Sequence, residues 1–309
     1  ARLHGGFYYA AGDWSVRWGS AGFYVDSPRL RVTVELSDSE KYDGPKDLLP
    51  YIRAAAQLAG VSGFNVKVIE SPPLHSGFGV GTQLALGSYT AFKLLKGEQP
   101  EAAEDVAPRL GRARHSGVGT LLFKLGGFVM DAGLPGRPTP MVSLKVPSEW
   151  RFVIVVPRTE RGLTDEEEVE VMQRKQWGAS ESSLSFMSIG ALRLASGIAR
   201  ADIDDALEGL RLLQRGTGIL FSDVQGGEYR GILNRIAAEA WRSRVILAQS
   251  SWGPAMYTIV ENQYEAEGDV MLMKEVLSTV GVQGEVLVAR PRNYGAVVKA
   301  CLLYTSDAA

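Results

Sequence analysis

The stretch "SPPLHSGFGVGTQLALGSYTAF", residues 71–92, carries no charged side chain and sets Gly77, Gly79 and Gly81 at alternate positions. A membrane, a packed interior, or a backbone cradle for a charged ligand would each accommodate such a run. Its Gly, Ser and Pro content excludes a spanning helix, which needs about 20 predominantly apolar residues. Glycines remove the Cβ atoms that keep a ligand off the backbone. The segment then enters a helix predicted over about residues 81–96, whose first N–H groups lack partners and whose dipole favours an anion. The run is therefore either a phosphate cradle or a glycine turn made for packing. No Gly-Lys-Ser/Thr follows, and "PPLH" separates the glycines from the preceding strand, so it is neither a P-loop nor a dinucleotide fingerprint.

A second stretch, "HSGVGT" at residues 115–120, echoes the first and also precedes a helical pattern. The three histidines, His4, His75 and His115, all stand before Gly or Ser-Gly. Two cradles suit a ligand with two separate phosphate groups. A third stretch, "QSSWGPAMY" at residues 249–257, lies in the uncharged run 245–260. It reads either as a tight turn with a core tryptophan or as a place where Trp252 stacks on a flat ring. The acidic run "TDEEEVE" at residues 164–170 could hold a metal, but fits a helix start better, with Thr164 and Glu167 as a capping box. Arg112, Arg114 and Lys124 flank the second glycine turn, where solvation explains them equally well.

The chain of 309 residues is 45% hydrophobic and 22% charged, with net charge −2. That length suits two domains or one large one, and the balance argues against general nucleic-acid binding. Cys301 is the single cysteine, so no intrachain disulfide forms and a cytoplasmic location fits. Strand patterns at "PRLRVTVEL", "FNVKVIES", "GGFVMDAG" and "RFVIVVP" are interleaved with helical ones. From Thr164 onward the pattern turns helical, closing with "VILAQSSWGPAMYTIVE", a helix near residues 268–280, and "GEVLVARP". Irregular alternation predicts an α+β fold. The expected division is residues 1–157 and 158–300, with the change near residues 157–162. The abrupt "CLLYTSDAA", residues 301–309, reads as a non-native tail, and "ARLH" as mid-strand, with an earlier strand missing.

Taken together, "ARLH", "VRWGSAG", "PPLHSGFGVGTQLAL", "RHSGVGTLLFKLGGFVMDAG", "QSSWGPAMY" and "NYGA" resemble, in that order, the β-ribofuranosylaminobenzene 5′-phosphate synthase family of the GHMP kinase superfamily. The resemblance covers most of residues 1–300. It implies a GHMP kinase-like α+β fold, an N-terminal domain like ribosomal protein S5 domain 2 followed by an α+β C-terminal domain. It implies a decarboxylating pentosyl transfer. In it, 5-phosphoribosyl 1-diphosphate joins 4-aminobenzoate or 4-hydroxybenzoate, releasing pyrophosphate and CO2 on the path to methanopterin-type carriers.

The resemblance implies Mg²⁺, small-molecule substrates, a homodimer, and neither nucleic acid nor membrane as partner. It assigns pyrophosphate to His75, Ser76, Gly77, Gly79, Gly81, Thr82 and Gln83, with Thr82 also at the metal. The ribose 5′-phosphate goes to Ser116, Gly117, Gly119 and Thr120, with Arg17 or Arg114. The aromatic substrate goes to Ser250, Ser251, Trp252 and Gly253. No catalytic acid or base is assigned. Many GHMP kinases carry Ser-Gly-Ile-Asp with an Asp base; here Ser116-Gly117-Val118 is followed by Gly119, while Gly126-Gly127 keep the family spacing. Loss of such a base costs a kinase about 10²–10⁴ in rate, whereas a ribosyl transfer deprotonates no substrate alcohol. A small-molecule kinase and a non-catalytic phosphosugar or nucleotide binder are the alternatives. His115 departs from the family pattern.

Overall fold

The computed structural model describes residues 1–10, 18–134, 136–175 and 179–299. The first part of the chain forms β1 (Arg2–Ala10), β2 (Trp18–Tyr24), β3 (Arg31–Leu36), β4 (Lys41–Asp43), α1 (Leu49–Ala59) and β5 (Phe64–Glu70). It continues through α2 (Val80–Leu95), α3 (Ala103–Arg109), α4 (Val118–Leu125), β6 (Phe128–Asp131), β7 (Pro140–Leu144) and β8 (Arg151–Pro157). The helical stretch is α5 (Asp165–Lys175), α6 (Glu181–Arg200), α7 (Ile203–Gln225) and α8 (Leu233–Arg242). The end is β9 (Ala248–Gln249), β10 (Met256–Val260), α9 (Gln263–Val280) and β11 (Gly284–Ala289).

Three sheets result, ordered β1-β2-β6-β7, β3-β5-β4 and β11-β8-β10-β9. β8, which precedes the change of pattern at residues 157–162, pairs with β10 and β11, which follow it. One hydrophobic cluster runs from Leu3 and Phe23 through α2 to Phe152 and Tyr257, so the first and third sheets share a core. Among the described residues no helix is long and apolar enough to cross a membrane.

Local chemistry explains the elements nearest the glycine turns. α1 stops at Gly60, which takes φ +66°, a left-handed conformation that glycine adopts without a steric penalty. The capping box at α5 forms: Thr164 N–H donates to Glu167 Oε2 at 2.7 Å, and Glu167 N–H to Thr164 Oγ1 at 3.2 Å. β7 lacks a clean alternation and was not legible in the sequence; its outer face is exposed at Met141. β1 bulges between His4 and Gly6, and the turned Gly6 N–H donates to His4 Nδ1 at 3.1 Å. α7 seats on that bulge, where Thr217 Oγ1 accepts from Phe7 N–H at 3.0 Å.

Candidate functional site

The first glycine turn is held from behind, and of residues 76–83 only Gly79 is not buried. Ser250 Oγ donates to the Gly77 carbonyl at 2.6 Å and accepts from His4 N–H at 2.9 Å. Ala255 N–H donates to the Ser76 carbonyl and Arg2 N–H to the Phe78 carbonyl. A β-carbon on Gly253 would overlap Gly77 N. "QSSWGPAMY" is thus the prop under the glycine loop. Ser250 is fully buried with its hydroxyl engaged, and Trp252 is turned into the core, edge-on to Phe221 at 4.8 Å. Ser251 takes φ +56° to make the turn. The ring face expected of Trp252 is used by the core.

In front, Gly79 (φ +68°) starts α2. Among the described residues the amides of residues 77–82 have no protein acceptor, and Gln83 N–H is the first to bond, to Gly79 O. A helix start of this kind suits an anion. Gln83 itself ties the two turns together: its Nε2 donates to Gly119 O at 2.8 Å while Oε1 accepts from Tyr24. Ser76 Oγ is spent on Pro73 O. His75, at φ +59°, accepts from Gly162 N–H through its carbonyl.

Two arginines complete this end. A β-carbon on Gly79 would stand 2.9 Å from Arg2 Nε, so only glycine lets the guanidinium lie on the helix start. Arg2 donates to Gly77 O at 3.3 Å, and its buried Nε has no hydrogen-bond partner among the described residues. Burial pulls it down to about 10, so it stays charged at neutral pH. Arg112 Nε donates to Thr82 Oγ1 at 3.2 Å and its two terminal nitrogens to Asp165. Burial works against this ion pair; the hydrogen bonds and opposite charges nevertheless hold Arg112 above and Asp165 below their ordinary values. Tyr51 donates to Asp165 at 3.0 Å and lies under Arg112. Burial, reinforced by Asp165, lifts its hydroxyl to about 12. Burial also raises Glu168, which faces Arg2 and Arg112 without a direct ion pair among the described residues.

The second turn is arranged differently. Gly117 N–H donates to Asp131 Oδ2 at 2.6 Å and Thr139 N–H to Oδ1 at 3.3 Å, with Gly133 N–H also on this carboxylate. The protein's own acid therefore fills part of the expected phosphate cradle. Ser116 Oγ lies 3.3 Å from His4 Nε2 and 2.8 Å from Ser20 Oγ. Gly119 packs against Thr82, with 3.5 Å to its methyl for an added β-carbon. Thr120 is buried and its hydroxyl has no partner among the described residues. A cavity of about 170 Å³ opens beside this turn, lined by Trp18, Pro108, Arg112, Arg114, His115, Asp131, Leu134 and Pro138 among others. Arg114 is exposed there with no ion pair among the described residues, Lys124 pairs with Glu104 instead, and Arg17 lies outside the described residues.

Sequence reasoning missed Arg2, Tyr51, Asp131, Asp165 and Glu168 as site residues. Arg2 carries no local signal, because β1 reaches the glycine turn only through tertiary pairing. Asp131 could have been found: it is an acid that closes the apolar strand "FVMD". Asp165 and Glu168 were read as helix-start acids in preference to a metal site, a role that the capping box fills without them.

No protein-family model matches the chain. It is 24% identical to a beta-ribofuranosylphenol 5'-phosphate synthase of Archaeoglobus fulgidus, over 91% of this chain and 92% of that one. It is 26% identical to a protein of the same name from Methanothermobacter thermautotrophicus, over 90% of each. Among solved structures it is similar to a homoserine kinase of Cytophaga hutchinsonii (TM-score 0.67, 18% identity, 95% of both chains). A mevalonate pyrophosphate decarboxylase of Streptococcus pyogenes is also similar (TM-score 0.61, 9% identity, 96% of both). The chain has a GHMP kinase-like fold and, along nearly its whole length, is similar to the beta-ribofuranosylphenol 5'-phosphate synthases.

Proposed function

We propose that this protein is a decarboxylating pentosyltransferase that joins 5-phosphoribosyl 1-diphosphate to 4-hydroxybenzoate or 4-aminobenzoate, releasing pyrophosphate and CO2. The product is a C-riboside of the kind needed for methanopterin-type carriers. End-to-end likeness to synthases named for a ribofuranosylphenol carries the reading, and puts the hydroxybenzoate first. The two-part organisation (1–157 and 158–300), a cytoplasmic setting and a homodimer belong to the same reading.

The diphosphate lies on the partnerless amides at the start of α2, between Arg2 and Arg112. Charge accumulates on it as the bond to ribose C1 breaks, and fixed donors there favour the transition state over the ground state. The ribose 5′-phosphate is assigned to the second turn, where the Gly119 amide has no protein acceptor and Thr120 Oγ1 no partner. Mg²⁺ fits the hard oxygen donors at hand, the Thr82 hydroxyl and the unpaired Glu168 carboxylate. Among the described residues no group of three or more metal-binding side chains occurs, so the ion would arrive with the diphosphate, as Mg²⁺ commonly does. It would supply charge neutralisation on the leaving group.

The test supplies phosphoribosyl diphosphate with each benzoate and, separately, ATP with homoserine and other small alcohols. CO2 and pyrophosphate in equal amounts are expected, and Gly79→Val, which must expel the Arg2 guanidinium, should lose at least about 100-fold in kcat/KM. ADP formation with an alcohol and no CO2 would establish the kinase; binding without turnover would establish a sensor.

A further inference from the structure

We propose that the cavity beside the second glycine turn is the acceptor site, binding a one-ring benzoate with its carboxylate drawn by Arg114 and its para O–H or N–H donated to Asp131. This rests on the transferase reading above and assigns the substrate half that the glycine turns leave unplaced. Size is the first argument. The cavity holds about 170 Å³; a cavity of about 150 Å³ takes a benzene ring, while larger ligands need roughly 300 Å³ or more. Lining is the second. Pro108, Leu134 and Pro138 supply apolar surface, and Arg114 brings a cation with no ion pair among the described residues.

Asp131 is the third. A carboxylate has about four lone-pair positions, and three amides occupy three of them. The remaining position is left for a ligand on the cavity that Asp131 lines. Burial raises the affinity of this carboxyl for a proton, which suits a group that takes one transiently. Position is the fourth: Arg112 lines the cavity and also touches Thr82 at the start of α2, so acceptor and diphosphate would meet across one side chain.

The chemistry balances. The ring carbon bearing the carboxylate forms a bond to ribose C1 as the C1–O bond breaks, and pyrophosphate leaves with that electron pair. The para O–H proton moves to Asp131, giving a dienone. The bond to CO2 then breaks, its pair restores the aromatic ring, and the oxygen recovers its proton from Asp131.

The test titrates 4-hydroxybenzoate and benzoate into wild type, Leu134→Trp, Arg114→Ala and Asp131→Asn, all with pyrophosphate present. Leu134 is 44% exposed, so its replacement fills the cavity mouth without disturbing the core. Wild type should bind 4-hydroxybenzoate at least 10-fold tighter than benzoate. Leu134→Trp and Arg114→Ala should each lose 10-fold or more, with pyrophosphate affinity in Leu134→Trp unchanged within 2-fold. Asp131→Asn should lose the preference for the para donor. Wild-type binding in both surface variants, or no binding to wild type, overturns the site. Turnover of phosphoribosyl diphosphate and hydroxybenzoate by wild type distinguishes that result from failure of the transferase reading, since turnover at unchanged KM in both surface variants sinks the site alone.

Discussion

His4 and Ser116 look at first like a base and its nucleophile, and the hydrogen bonds rule that out. Gly6 N–H donates to His4 Nδ1, so the neutral ring carries its proton on Nε2 and can only donate to Ser116 Oγ. Burial, aided by the nearby Arg2 charge, pulls His4 down to about 3 from 6.5. His4 is therefore a neutral positioning residue across the working pH range. The depressed value sets the sign of the pH effect. Folded and unfolded forms are both neutral above pH 6.5, and below it the unfolded chain gains a proton that the folded one refuses. Stability is thus full above pH 6.5 and falls as pH drops toward 3, by about 2 kcal/mol at pH 5. Urea denaturation of wild type and His4→Gln at pH 7 and pH 5 checks this: the His4 contribution to the slope should vanish in the variant.

Elements here meet through glycines placed for contact. α6 and α7 pack with Gly190, Gly197, Gly209 and Gly216 facing opposing backbone, and a β-carbon on Gly209 would overlap Leu194 N. Gly209→Ala tests which effect wins. Helix propensity favours alanine by about 1 kcal/mol, while overpacking a tight contact costs about 1–3 kcal/mol or more. Backbone cannot give as a side chain can, so net destabilisation of about 2 kcal/mol is expected, seen as a lower urea midpoint. Gly77 and Gly253 make the same kind of contact within and beneath the first glycine turn. Glycines in this chain therefore serve two ends: Gly79 makes room for the Arg2 guanidinium, and Gly253 for another loop.

At the scale of the molecule, the proposed anion site draws on β1 through Arg2, on α2 through its amides, on the 112–114 loop and on the start of α5. A ligand that bridges them should stabilise all together, since binding to the folded state alone adds about 2.7 kcal/mol at 100-fold excess over Kd. Pyrophosphate should raise the thermal midpoint of wild type in one cooperative transition and leave Arg2→Met unmoved. Much of this was legible beforehand. The uncharged glycine run, the echo at residues 115–120 and the capping box are local patterns, and they sufficed for the α+β class and for the glycine turn that opens α2. The roles of Arg2, Asp131 and Trp252 were not, because each depends on a partner far along the chain: Gly79, the Gly117 amide and Phe221. Backbone geometry and periodicity are set by neighbours in sequence, so the sequence alone determined where the turns and helices fall. Which side chain desolvates, which amide is already taken and which ring is spent on the core depend on long-range packing, and that only the tertiary structure decided.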